Sequence, residues 1–221
     1  MVALCAALAS CGEPTPPLRL DAYAFRYDIF GDSTALLSFH WPADRMPLRF
    51  WSDPADSLGE YVDYAIRQWE EQFLYGEFRG VVVSDSSQAD IIVQTTPAAP
   101  TGSLADLPEH EVSTFCGGAT FPDSILGDGH MYGPMRSQVT WTFLQIKTAS
   151  DSQATVRCLA RVITHEVGHA LGILSFNHTF TDSTDLMYTF PRVAVPSERD
   201  RETIQRIYHT PSDMIAPVRP H

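Results

Sequence analysis

The chain reads as one α+β domain, and three observations carry that reading. Short runs of β-branched and aromatic residues, Leu48-Arg49-Phe50-Trp51, Val81-Val82-Val83 and Ile91-Ile92-Val93, have the composition of strands. Three longer stretches carry apolar residues at spacings of three and four, the period of amphipathic helices. At 221 residues and 44% hydrophobic, the chain can bury one good core and has no need of a second.

In chain order, residues 22–41 alternate aromatic and polar groups (Tyr23, Phe25, Tyr27, then Leu37, Phe39, Trp41) and break at Gly31-Asp32-Ser33. That pattern suggests a hairpin or an ordered extension. The strand at 48–51 ends at Ser52-Asp53-Pro54, and Ser57-Leu58-Gly59-Glu60 is a capping box opening a helix. Leu58, Val62, Ala65, Ile66, Trp69 and Phe73 form its buried face, and Gly76 is expected to close it. Residues 97–115 read as a loop, 117–121 as a short strand and 139–146 as a better one. A second helix follows, with Val156, Leu159, Ala160, Ile163, Val167, Ala170 and Leu171 as its stripe and Gly172 as its stop. Ser197 caps a last helix that buries Ile204, Ile207 and Tyr208. No internal repeat is present.

The second helix carries the strongest chemical statement, His165-Glu166-Val167-Gly168-His169. Histidines four apart lie one turn from each other on one face, so both rings can reach one metal ion. The adjacent carboxylate can hold a water against that metal. At about 100° per residue, both histidines project away from the centre of the apolar stripe, toward a cleft or solvent. The bland alternative is a surface helix with an accidental motif, which eight histidines would produce in about one such chain in a hundred.

His165-Glu166-x-x-His169-x-x-Gly172, followed by His178 and Leu186-Met187-Tyr188, resembles the metzincin zinc proteases, in particular their matrixin branch. The resemblance covers roughly residues 46–210. It implies a zincin-like fold: a twisted, mostly parallel sheet with an active-site helix, a Met-turn and a C-terminal helix. It implies Zn²⁺ on His165, His169 and a third histidine, Glu166 as general base and Met187 as the turn beneath the metal. Tyr188 would wall the substrate pocket, with a protein or peptide substrate paired along an exposed edge strand, taken as 117–122.

One departure stands out. The family's third ligand falls at Ser175, and His178 lies three residues later. Serine is a poor zinc ligand, whereas a loop absorbs extra residues cheaply, so His178 is the expected ligand and Asp182 or Asp185 the next choice. Glu198 and Glu202, the downstream glutamates, already have a reason to be acidic at a helix start. The function implied is a zinc-dependent endopeptidase working through a metal-held water and a glutamate base. The alternative is a catalytically inactive, zinc-stabilised binding module anchored to the cell envelope, its open position blocked by the inserted residues.

The formal net charge of −12 comes with no basic cluster, which argues against nucleic acid as a partner. Val2 to Ala9 is apolar, and Leu8-Ala9-Ser10-Cys11 matches a bacterial lipobox, an ordinary signal peptide being the alternative. The organisation expected is a signal peptide over 1–10, a Pro-rich tether over 11–21, an N-terminal extension over 22–45 and a metzincin-like catalytic domain over 46–221. The protein would then be exported, held at the membrane only through lipid on Cys11, and monomeric. No other stretch approaches the 18 apolar residues of a membrane span. In an exported chain, Cys116 and Cys158 would form a bridge that stabilises by roughly 4 kcal/mol in the chain-entropy model. Asp123, Asp128 and Gly129 fit no complete calcium loop and read as a solvated turn.

Overall fold

The computed structural model describes residues 22–28, 36–54, 58–95, 116–125, 131–141, 149–174, 182–189 and 191–217; within 116–125, 131–141 and 149–158 many side chains lie outside the description. Among the described residues, seven strands and three α-helices run in the order β1 (Tyr27–Asp28), β2 (Leu36–Leu37), β3 (Leu48–Ser52), α1 (Leu58–Glu70), β4 (Gly80–Val82), β5 (Ile91–Thr95), β6 (Cys116–Ile125), β7 (Met131–Trp141), α2 (Ala149–Leu171) and α3 (Glu198–Tyr208). The sheet order is β4-β3-β5-β7-β6, with β1 and β2 forming a separate antiparallel pair. Parallel ladders join β3 to β4, β3 to β5 and β5 to β7, and β6 alone runs antiparallel, against β7. This is the α+β class and mostly parallel sheet expected, with β6, which contains 117–122, along one edge.

Burial follows strand position. Ile91, Ile92 and Val93 of central β5 are all buried, whereas β3 alternates, Leu48 and Phe50 inward and Arg49 and Trp51 partly exposed. Short β4 leaves Val81 and Val82 open at the other edge. Leu58, Val62, Ala65, Ile66 and Trp69 of α1 pack inward, the face read from the sequence. The helix ends at Glu70, however; Phe73 is buried beyond it against Phe78, and Gly76, at φ +70°, turns the chain later than a helix stop would. The proposed Ser57 cap and Cys11 lie outside the described residues, as do the side chains of Cys116 and Cys158.

β7 begins eight residues before the expected start at Val139. Gly133 and Pro134 hid it, since both read as strand breakers. Pro134 is tolerated because the β5 ladder opens only at Met135 and the β6 register shifts between Pro122 and Ser124, so neither neighbour needs the missing N–H.

The segment before β3 enters the same core as the helices. Tyr23, Tyr27, Phe39 and Trp41 are buried with the rest, and the Trp41 indole donates to the Ala170 carbonyl of α2 at 2.8 Å. Ser38 joins residues near the other chain end: its carbonyl accepts from the N–H groups of Asp213 and Met214, both at 3.1 Å.

The end of α2 is set by Gly172. Ile173 N–H returns to the Gly168 carbonyl and Gly172 N–H to the His169 carbonyl, each at 3.1 Å, the paired bonds of a Schellman motif. Gly172 has φ +132°, and a Cβ there would stand 2.3 Å from the Phe39 carbonyl oxygen. Gly172→Ala should therefore cost about 2–3 kcal/mol and lower Tm by roughly 5–10 °C. Thermal denaturation followed by circular dichroism checks this; an unchanged Tm would mean that Phe39 does not lie against the helix end.

Candidate metal centre

The site is assembled on the last two turns of α2. His165, Glu166 and His169 each present a potential ligand atom within 4.8 Å of the others, and among the described residues they are the group that could hold a metal ion. All three are buried, at 3%, 1% and 1% exposure, so of the expected cleft or solvent the histidines do not face solvent. Helical periodicity sets them off the sheet-facing side but carries no information on chain that returns over them. The 182–188 segment does so: the Leu186 carbonyl lies 2.7 Å from His165 Nδ1.

Hydrogen bonding fixes the state of both rings. A carbonyl can only accept, so Nδ1 of His165 donates to Leu186 and Nδ1 of His169 donates to the Ile173 carbonyl at 2.5 Å. The second acceptor is delivered by the Gly172 turn. With each Nδ1 carrying the proton, both Nε2 atoms hold lone pairs, and these stand 2.9 Å apart with the rings nearly perpendicular. Two lone pairs at that distance repel unless a cation lies between them. A shared proton would require one buried ring to become imidazolium, which desolvation disfavours. The arrangement fits a divalent ion: zinc–nitrogen distances of about 2.0–2.1 Å in a tetrahedral site separate two ligand nitrogens by about 3.3 Å. Carbonyl-oriented imidazoles are what such sites use to fix ring direction.

Close packing supports this face from below. A Cβ on Gly168 would lie 2.5 Å from the Trp69 ring and 2.7 Å from Met187 Sδ, so only glycine lets α2 settle onto both. The Trp69 indole donates to the Thr164 carbonyl at 2.7 Å. Met187 is fully buried and Tyr188 partly so, in the turn between the histidines and α3.

That turn is held by Asp200, in the first turn of α3. Its buried carboxylate accepts from Leu186 N–H at 2.7 Å, Met187 N–H at 3.3 Å, Ser197 N–H at 2.7 Å and the Tyr23 hydroxyl at 2.6 Å. Ser197 caps α3 as expected and closes a reciprocal capping box with Asp200. Neither aspartate considered as a third ligand joins the histidines. Asp182 folds onto Thr184 N–H and hydroxyl at 2.9 and 2.7 Å, and Asp185 takes the Ser197 hydroxyl at 2.7 Å and lies 3.4 Å from Arg199. Glu198 pairs with Arg201. His178 lies outside the described residues.

Glu166 faces strand β6. Its Oε2 accepts from the Thr120 hydroxyl at 2.6 Å, and Thr120 Oγ1 lies 2.8 Å from Ser137 Oγ on β7. The carboxylate fits there because residue 118 is glycine; a Cβ would be 2.5 Å from Oε1. Burial pushes the Glu166 carboxyl up to about 8, with the Thr120 hydrogen bond pulling the other way. Sequence reasoning missed Thr120, Gly118 and Asp200. The first two lie on a strand, 46 and 48 residues before Glu166, and the third reads simply as an acidic helix start.

No protein-family model matches the chain, and no curated protein matches its sequence. Among solved structures it is similar to myroilysin at 13% identity and a TM-score of 0.44, over 78% of this chain and 96% of that one. It is similar also to the archaemetzincin of Methanopyrus kandleri at 13% identity and a TM-score of 0.40, over 74% of this chain and 97% of that one.

Gly168→Ala should tilt α2 off Trp69 and Met187, costing about 1–3 kcal/mol and lowering zinc affinity about ten- to a hundredfold. Zinc competition against a chromogenic chelator reads the affinity; parent-like affinity and Tm together would show that the contact does not support the histidines.

Proposed function

We propose that the chain is a zinc-dependent endopeptidase of matrixin-like type, with His165, His169 and His178 as ligands and Glu166 as general base. The observation that carries this reading is the pair of Nε2 lone pairs facing each other beside a buried carboxylate. A structural site would need the histidines but would have no use for Glu166. Zinc, when bound, supplies a Lewis acid that polarises the scissile carbonyl and acidifies water.

The chain's own residues do the rest. Glu166, ionised beside a bound cation and with the Thr120 hydroxyl donating to its carboxylate, accepts the proton of the attacking water and returns it to the leaving amine. Thr120 occupies Oε2, so Oε1 is the oxygen assigned to the proton. Edge strand β6 offers the substrate backbone a pairing partner. Met187 supports the histidines from beneath, and Tyr188, next in the turn, borders the substrate. Export with lipid on Cys11 and a Cys116–Cys158 bridge belong to the same reading.

Glu166→Gln should retain zinc and lose activity by about 10²–10⁴-fold on a quenched peptide, while chelation of the parent abolishes it. Cleavage by the variant at the parental rate would overturn the mechanism. A parent whose melting responds to chelator but which cleaves nothing would instead be the zinc-stabilised binding module. His178→Ala should reduce bound zinc, measured by metal analysis, and undiminished stoichiometry would remove His178 from the ligand set.

A further inference from the structure

One helical turn before His165, a groove of about 830 Å³ opens between α1, the Ala160–Arg161 turn of α2 and the segment around Arg192–Ala194. Tyr61, Tyr64 and Arg67 line it from α1, together with one carboxylate, Glu60. The Tyr64 hydroxyl, 3.4 Å from the Ala194 carbonyl, ties the later segment to α1. Arg67 is held by Asp63 one turn earlier. Arg161 and Arg192 are different: neither pairs with a carboxylate among the described residues. Arg161 Nε is buried with no hydrogen-bond partner among the described residues.

Two unmatched guanidinium groups in one groove are out of keeping with a chain that has 27 Asp and Glu against 15 Lys and Arg. A guanidinium stays charged when buried, and leaving its donors unsatisfied costs stability that an incoming anion would recover. Its planar fork matches a carboxylate in particular. The position gives the anion a source. Arg161 precedes His165 by one helical turn, about 6 Å along the same face, and Arg192 follows Tyr188 by four residues.

We propose that this groove receives the carboxylate of a Glu or Asp side chain of the peptide substrate, gripped by Arg161 and Arg192, so that cleavage favours an acidic residue beside the scissile bond. The inference rests on the peptidase reading. The aromatic rings of Tyr61 and Tyr64 provide walls for the side chain's methylenes.

The test compares kcat/KM for quenched peptides carrying Glu, Gln or Lys at each position flanking the cut. The parent should favour Glu over Gln by about ten- to a hundredfold at one position. That ratio should fall toward one in Arg161→Gln and Arg192→Gln and recover in part in Arg161→Lys; exposed Arg192 provides a variant that leaves the core intact. Zinc-loaded Glu166→Gln protein, with the same peptides fluorescently labelled, supplies a binding readout by anisotropy that needs no turnover. Equal rates for Glu and Gln in the parent, or a preference that survives both arginine variants, would overturn the groove while leaving the peptidase standing. Selective binding of the Glu peptide, removed by Arg192→Gln, with no cleavage by the parent, would keep the groove and overturn the peptidase. Absence of both would overturn both.

Discussion

Two carbonyl groups decide what the His165–His169 pair can be. By accepting from Nδ1, the Leu186 and Ile173 oxygens turn the remaining ring nitrogens into acceptors and aim them at one point. Left alone, that arrangement is electrostatically unfavourable, so the fold must hold it against repulsion until a cation arrives. Much of the surrounding structure can be understood as that restraint. Gly172 turns the chain so that the Ile173 oxygen comes back under His169, and Asp200 holds the N–H groups of residues 186 and 187 so that the Leu186 oxygen meets His165.

The same restraint explains residues that lie far from any chemistry. Trp69 and Trp41 donate to the carbonyls of Thr164 and Ala170, one on each side of the histidine pair, and so fix α2 against α1 and the N-terminal segment. Gly168 is the absence that lets Trp69 and Met187 approach, and Gly118 is the absence that lets Glu166 reach Thr120. Small residues at these positions set the relation between helix and sheet more tightly than the larger residues around them, because their neighbours have no room to give.

What the sequence disclosed, and what it withheld, divides by range. The α1 face, the Ser197 cap and the spacing of His165 and His169 are local patterns of three to four residues, and the structure reproduces them. The burial of the histidines was not legible, because it depends on residues 182–188 crossing a face that helical periodicity treats as open. Asp200 was visible as an acid at a helix start but not as the acceptor for a turn more than ten residues earlier. β7 was misjudged at its start because the signal of Gly133 and Pro134 is read without knowing where the ladders on either side begin.

The long-range pairing of Tyr23, Ser38 and Trp41 with much later residues bears on how the molecule comes into being. Tyr23 meets Asp200 across 177 residues and Ser38 meets Asp213 across 175, while Trp41 waits for Ala170. At about 5–20 residues per second, a nascent chain leaves these early residues without their partners for several seconds or more. The segment that carries Leu186, Asp200 and Asp213 therefore acts as a completion signal. Until it emerges, Leu186 is not tethered, His165 is not oriented, and the half-made chain has no fixed centre at which to gather metal.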